Sequence, residues 1–252
     1  MAHAREVVGT VTSRFRVSAI VSAFKSERFL RGCLENLEAQ TIADALEIVV
    51  VNSGSPEGEH EIVSEFLGRY DNIVYVRTPW TESVYAAWNR AIMMSSGEYI
   101  TNANTDDRHR NDAFEIMSKA LDANPKAGLA YAGYVTTEVE NETFASTTSK
   151  TKFMPLDYRR DMLLQGYCFP GPMPMWRESV HREFGMFDER FVSAGDIEFW
   201  MRISAKYPFV RVPKTLGLYL SHPESIEHRS GELAQREAAS VVAAYSQAGV
   251  RR

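Results

Sequence analysis

The chain has 252 residues, of which 44% are hydrophobic and 24% charged, and its net charge is −5. At roughly 150 residues per domain, that length fits one large α/β domain or one with an appended subdomain, and it suffices to bury a real core. The acidic balance argues against a nucleic-acid clamp, and 15 Gly and 10 Pro are far from a low-complexity or collagen-like bias.

The first fourteen residues carry basic side chains but no apolar stretch of signal-peptide length, and are expected to be flexible. No run approaches the roughly 18 apolar residues of a membrane span, so a cytoplasmic address is expected. A strand-like run from Val17 to Val21 leads into a helix whose apolar stripe is Leu30, Cys33, Leu34 and Leu37. Cys33 on that stripe reads as a small buried hydrophobe, and with Cys168 the only other cysteine, a disulfide framework is not expected. The alternation continues: a strand from Leu46 to Val51, a helix on Val63, Phe66, Leu67 and Tyr70, and a strand from Ile73 to Arg77. A helix on Val84, Ala87, Trp88 and Ala91, a strand from Glu98 to Thr101 and a helix on Phe114, Met117 and Leu121 complete it. Strands separated by such helices join as right-handed crossovers in a parallel sheet, and Ile48 to Val51 are apolar on both faces, as a covered strand requires. The fold class expected is α/β, a Rossmann-like, mostly parallel sheet flanked by helices.

After Gly128 the alternation loosens. A strand from Leu129 to Tyr134 precedes a polar stretch at 136–152, read as a hairpin or surface loop, and a Pro-rich segment at 169–176. A helix on Ile197, Trp200 and Met201, strands from Phe209 to Val212 and Leu216 to Leu220, and a C-terminal helix at 231–252 finish the chain.

In an open parallel sheet, ligands bind outside the carboxyl ends of the strands, where loops and helix N-termini converge. The loops there are Ser22 to Glu27, Asn52 to Glu57, Thr78 to Ser83 and Asn102 to Asp107. Adjacent carboxylates at a strand end repel one another and lose hydration, so Asp106 and Asp107 need a cation or donated hydrogen bonds. A divalent metal ligated by carboxylates and substrate phosphates answers that need; capping of the next helix is the plainer reading. Neither a G-x-G-x-x-G fingerprint nor a P-loop is present, so phosphates must be neutralised by other groups. Asp196, at a helix start, is held anionic by the dipole and could act as a base; a plain N-cap fits its spacing equally well.

In combination these residues resemble the inverting nucleotide-sugar glycosyltransferases of family 2, with the GT-A fold. The resemblance runs from about Phe15 to His228. It is carried by Val17 to Lys25, Gln40-Thr41, Glu47 to Ser55, Ala87 to Ile92 and Ser96 to Ile100. It continues through Asn104-Thr105-Asp106-Asp107, similar to D-x-D-D, Gly185 to Glu189, similar to G-x-F-D-E, and Gly195 to Arg202, similar to E-D-x-D-x-x-x-R. Ser22 stands where Pro is usual and Lys25 where Asn is common, while Asn52, Asn104 and Gly195 replace usual acids.

The resemblance implies one GT-A domain over 15–230, with a nucleotide-sugar-binding half at 15–127 and an acceptor-binding half at 128–230. It makes Asp196 the catalytic base of an inverting displacement. Asp106 becomes a ligand of Mn²⁺ or Mg²⁺, with Asp107 and His222 beside it. Ser22, Phe24, Glu27, Asn52, Asn89, Asn104 and Asp106 are then expected to hold the nucleotide-sugar, and Trp176, Arg177, Glu198 and Trp200 a saccharide or glycan acceptor. The expected partners are thus a nucleotide-diphosphate sugar and that acceptor, with no nucleic acid and no transmembrane segment; a homo-oligomer stays open. Two other readings stand beside it. One is a catalytically weak or inactive sugar-nucleotide-binding member, which the three replaced acids favour. The other is a sugar-phosphate nucleotidyltransferase, disfavoured because Ser22 to Glu27 is no Gly-rich basic loop.

Overall fold

The computed structural model describes residues 14–222 and 226–250. The N-terminal segment expected to be flexible therefore lies, apart from Arg14, outside the described residues. The first half follows the expected alternation: β1 (Val17–Ala23), α1 (Glu27–Glu38), β2 (Leu46–Asn52), α2 (Glu59–Leu67), β3 (Ile73–Arg77), α3 (Val84–Met94) and β4 (Tyr99–Asn102). These four strands lie in the order β3-β2-β1-β4, all parallel. Every residue of β2 is buried, and strand alternation sends Ile48 and Val50 to the core under α1 and α2, and Val49 and Val51 to the core under α3. Leu67 departs from its expected stripe: it ends α2 42% exposed, while Ile62, Val63 and Phe66 carry the packing.

The second half comprises β5 (Arg108–His109), α4 (Ala113–Ala123), β6 (Leu129–Thr137), β7 (Lys152–Phe153), α5 (Arg160–Leu164), β8 (Met175–Arg177), α6 (Ser179–Phe184), α7 (Gly195–Ile203), β9 (Phe209–Leu220) and α8 (Ile226–Val250). It extends the same sheet as β4-β8-β6-β9-β5, with β7 paired on β6. β8 runs antiparallel to both neighbours and wedges between the two halves. The two expected strands around Pro213 are one strand, because the pairing with β6 skips from Val212 to Thr215. Pro213, which has no N–H to donate, sits in the resulting bulge. The C-terminal helix starts earlier than expected and changes course at Gly231, whose φ of 42° favours glycine.

β8 brings an indole into the core. Trp176 is fully buried and its Nε1, which can only donate, bonds His181 Nε2 at 2.8 Å. The His181 proton therefore sits on Nδ1, 3.0 Å from the Gly185 carbonyl, and the neutral ring stacks on Phe199. Burial pushes the His181 pKa down to about 4, and burial with the Arg108 charge pushes that of His109 down to about 3. Between those values and the ordinary 6.5, the unfolded chain binds protons that the folded chain refuses. Their contribution is complete above pH 6.5 and is lost as pH falls toward 4, at up to about 1.4 kcal/mol per pH unit for each ring. Denaturant titrations from pH 7.5 to 4.5 should therefore show a slope shallower by about one proton in His181→Gln than in the parent; equal slopes would refute this linkage.

Candidate active site

The loops after the first four strands meet at one end of the sheet, as parallel topology requires. Ser22 lies near the end of β1 and Phe24 and Lys25 follow it, Ser53 and Glu57 follow β2, Glu82 follows β3, and Asn104 to Asp107 follow β4. All line one open cleft of about 1900 Å³, which Asp196 and His222 also line. A single-ligand pocket is typically about 300–1,000 Å³, so this cleft has room for two substrates.

The two loops nearest α1 are tied together. Glu59, buried in the first turn of α2, accepts from the Ser26 N–H at 2.7 Å and the Ser55 hydroxyl at 2.9 Å, while Ser55 Oγ accepts from the Lys25 N–H at 3.0 Å. Lys25 is held at φ 52°, an uncommon conformation for a residue with a side chain, and its ammonium lies 5.6 Å from the Phe24 ring centre. Phe24 is 39% exposed on the cleft. Glu27 lines the cleft while accepting from the Gly58 N–H at 3.0 Å. Asn52 is not on the cleft surface: it is fully buried, accepts from the Ser55 N–H and donates to the Tyr75 hydroxyl. Asn89 is corrected likewise. Its amide bonds the Phe187 N–H and carbonyl and the Glu189 carboxylate, joining α3 to the 187–189 turn instead of reaching a ligand.

In the acidic turn, Asp106 Oδ2 lies 3.1 Å from His222 Nε2, pairing residues 116 apart in sequence. Asp107 is not brought into that pair. Its Oδ1 accepts from the Leu220 N–H and its Oδ2 from the Asn104 amide, both at 3.1 Å, so it pins the turn to β9 rather than assisting at a metal. Burial, with the Asp106 charge second, drives the Asp107 carboxyl well above the usual carboxylate range. That explains an amide at 104: a third carboxylate there would repel where Asn104 donates. Buried Arg108 steadies the turn from behind, donating to the Thr105 and Asp107 carbonyls, the Phe29 carbonyl and the Asn141 side chain. Among the described residues no three His, Cys, Asp or Glu side chains form a metal cage. One carboxylate and one imidazole suit a divalent cation that completes its shell with phosphate oxygens and water.

Asp196 opens α7. Its Oδ1 accepts from the Ile197 N–H at 2.8 Å and the Tyr85 hydroxyl at 3.2 Å. Burial and the Asp196 charge keep the Tyr85 phenol protonated, and its single proton is shared between that carboxylate and the nearer Ser193 carbonyl, 2.7 Å away. Tyr85 also explains the glycine before Asp196: a Cβ at Gly195 would lie 2.8 Å from the Tyr85 ring, leaving no space for the glutamate usual there.

Residues 18–184, well over half of the chain, match the family model described as Glycosyl transferase family 2. The chain belongs to this family. Glycosyltransferase GlyA of Streptococcus pneumoniae serotype 4 is 32% identical over 119 residues, covering 47% of this chain and 17% of that protein. The putative glycosyltransferase EpsH of Bacillus subtilis is 31% identical over 118 residues, 47% of this chain and 33% of its own. This chain therefore spans well under half of either relative. Among solved structures, S. aureus TarS 1–349 in complex with UDP-GlcNAc shares the fold at a TM-score of 0.71 and 16% identity, over 92% of this chain and 66% of that one. A mannosyltransferase from Pyrobaculum calidifontis in complex with GDP-Man and Mn²⁺ does so at 0.66 and 17%, over 93% and 65%. The curled, helix-flanked sheet of this family 2 member is the GT-A fold expected.

The acceptor-side expectations are corrected by burial. Trp176 and Trp200 pack edge to face in the core, Trp200 only 1% exposed. Arg177 donates to the Ala127 and Leu121 carbonyls and closes the C-terminal end of α4. Glu198 pairs with Arg202 and accepts from the Tyr245 hydroxyl at 2.6 Å, joining α7 to α8. The cleft carries other aromatics instead: Tyr134, Phe153 and Tyr219 form one cluster on its surface, with ring centres 5.2 and 5.8 Å apart. Sequence reasoning missed these, Tyr85, and the cations Lys25, Arg28 and Arg31 that line the cleft. Arg28 and Arg31 had a signal, three residues apart at the start of the first helix, just past the first strand loop. Tyr134 and Tyr219 had little, since an aromatic at a strand end reads as core.

Proposed function

We propose that this chain transfers a sugar from a nucleoside-diphosphate donor to an acceptor hydroxyl with inversion at the anomeric carbon. The observation that carries this reading is a single cleft lined by both the Asp106–His222 pair and Asp196, with Asp106 from the first half of the chain and Asp196 from the second. Asp106 and His222 would hold a divalent cation. Bound there, it would neutralise charge growing on the departing diphosphate. Lys25 lines the cleft and offers positive charge in place of the missing phosphate loop, while Arg28 and Arg31, also on the cleft, are paired with Glu140 at 3.3 Å and Glu65 at 2.8 Å. Asp196 takes the proton from the acceptor hydroxyl as its oxygen bonds the anomeric carbon and the bond to the diphosphate breaks. Tyr85 and the Ile197 N–H hold the carboxylate in place for that transfer. The cluster of Tyr134, Phe153 and Tyr219 suits the apolar face of a sugar ring, which supports a saccharide acceptor.

Asn104 and Gly195 lend the binding-only reading less weight than their sequence positions did, because each has a local job: donating to Asp107 and clearing Tyr85. Thermal melts with UDP, GDP, TDP and CMP, with and without Mn²⁺, test the proposal. The structural neighbours in complex with UDP-GlcNAc and GDP-Man make UDP and GDP the first choices. A ligand at 100 times its dissociation constant adds about 2.7 kcal/mol, hence roughly 5–10 °C for a chain of this size, and the shift should require Mn²⁺. No shift with any nucleoside diphosphate would overturn it.

A further inference from the structure

The loop that delivers Asp196 is held by a carboxylate far away in sequence. Residues 192–194 run into α7, and the N-cap residue Ala194 has no side chain able to accept from the helix start. Glu237, on α8, instead holds the residues just before the helix. Its Oε1 accepts from the Val192 N–H at 2.9 Å, and its Oε2 from the N–H groups of Val192, Ser193 and Ala194 at 3.1, 2.8 and 3.1 Å. Three backbone donors thus converge on one anion at the positive end of the helix, where charge-assisted bonds are strong. The same loop meets the Asp196 contacts from its other side, since the Ser193 carbonyl accepts from the Tyr85 hydroxyl at 2.7 Å and that hydroxyl also bonds Asp196. Val192, Ser193 and Ala194 line the cleft, and so do Ala234 and Ala238 of α8 on either side of Glu237.

We propose that Glu237 is a positioning residue for Asp196: by fixing the three N–H groups upstream, it sets where the carboxylate stands in the cleft. This rests on the reading of Asp196 as the base. A misplacement of about 1 Å can cost on the order of 10²-fold in rate, so the loop needs such a clamp. A further α7–α8 contact, the Tyr245 hydroxyl to Glu198, docks the helix through a different residue of α7.

The test compares Glu237→Ala, Glu237→Gln and Tyr245→Phe in the full chain. Hydrolysis of UDP-GlcNAc and of GDP-mannose with Mn²⁺ is measured alongside UDP and GDP binding and amide exchange across 192–197. Glu237→Ala should lower kcat by about tenfold to 10²-fold with KM and nucleotide binding unchanged, and should speed amide exchange across 192–197. Glu237→Gln, which keeps one accepting oxygen, should recover most of the rate, and Tyr245→Phe should keep it. Parent-like exchange at 192–197 in Glu237→Ala overturns the proposal whether or not either donor turns over. So does parent-like kcat in that variant, or an equal loss in Tyr245→Phe. Failure of the base assignment is separate, because it is read from turnover in Asp196→Asn.

Discussion

Asp196→Asn should lower the rate of sugar transfer, or of donor hydrolysis, by about 10²- to 10⁴-fold, the contribution of a well-placed general base. The substitution keeps the side-chain shape and an oxygen able to accept from the Ile197 N–H and the Tyr85 hydroxyl, so the start of α7 should stand as before. What disappears is the capacity to take a proton, since an amide oxygen is a very weak base. Binding of a nucleoside diphosphate with Mn²⁺ depends on other residues and should match the parent. Turnover measured beside a thermal melt separates the two effects. Full turnover in Asp196→Asn would remove this residue from the chemistry, and loss of both turnover and nucleotide binding would mean that the change had disturbed the cleft.

The second large effect belongs to the other side of the reaction. Asp106→Ala takes one of two protein ligands from the proposed cation site and leaves His222 alone. Losing a partner that merely orients a metal ligand costs about 10- to 100-fold in affinity, so losing the ligand itself should weaken Mn²⁺-dependent nucleotide binding by more than about 10²-fold. Melting without metal should match the parent's. The Mn²⁺-dependent part of the melting shift is the measurement. If Asp106→Ala keeps it, the cation is held elsewhere. Asp107 offers a contrast: both its oxygens are used inside the protein, so Asp107→Ala should first lower stability by unpinning β9 from the turn.

Much of the fold was legible because its signals are local. A strand buried on both faces must be apolar at successive positions, and Ile48 to Val51 are; a helix on a sheet must repeat its apolar residues every three or four positions, and α1 does. The strands β5, β7 and β8 gave no such signal, having two or three residues each. β8 exists because β4 and β6 lie on either side of it, and nothing in a Pro-rich stretch of sequence announces that pairing. This is why Trp176 and Arg177 read as an acceptor surface: an aromatic and a cation beside prolines look alike whether the segment is open or covered. Glu237 went unseen for a related reason, since a glutamate among polar residues on a helix reads as a solvated face.

The sequence by itself determined the order of strands and helices and the parallel first half, and its motifs in combination pointed to the family and to Asp106 and Asp196 as candidate site residues. The elements follow from residue type and spacing over a few positions, where side-chain period acts, and the family from a resemblance carried by motifs along the chain. Tertiary structure alone decided which aromatics face the cleft, that Asp106 pairs with His222 while Asp107 is pinned to β9, that Asn52 and Asn89 serve the scaffold, and that Glu237 reaches the loop before Asp196. Burial and hydrogen bonding between residues as far as 116 positions apart depend on which elements pack together. That is set by the whole sheet rather than by any stretch of chain.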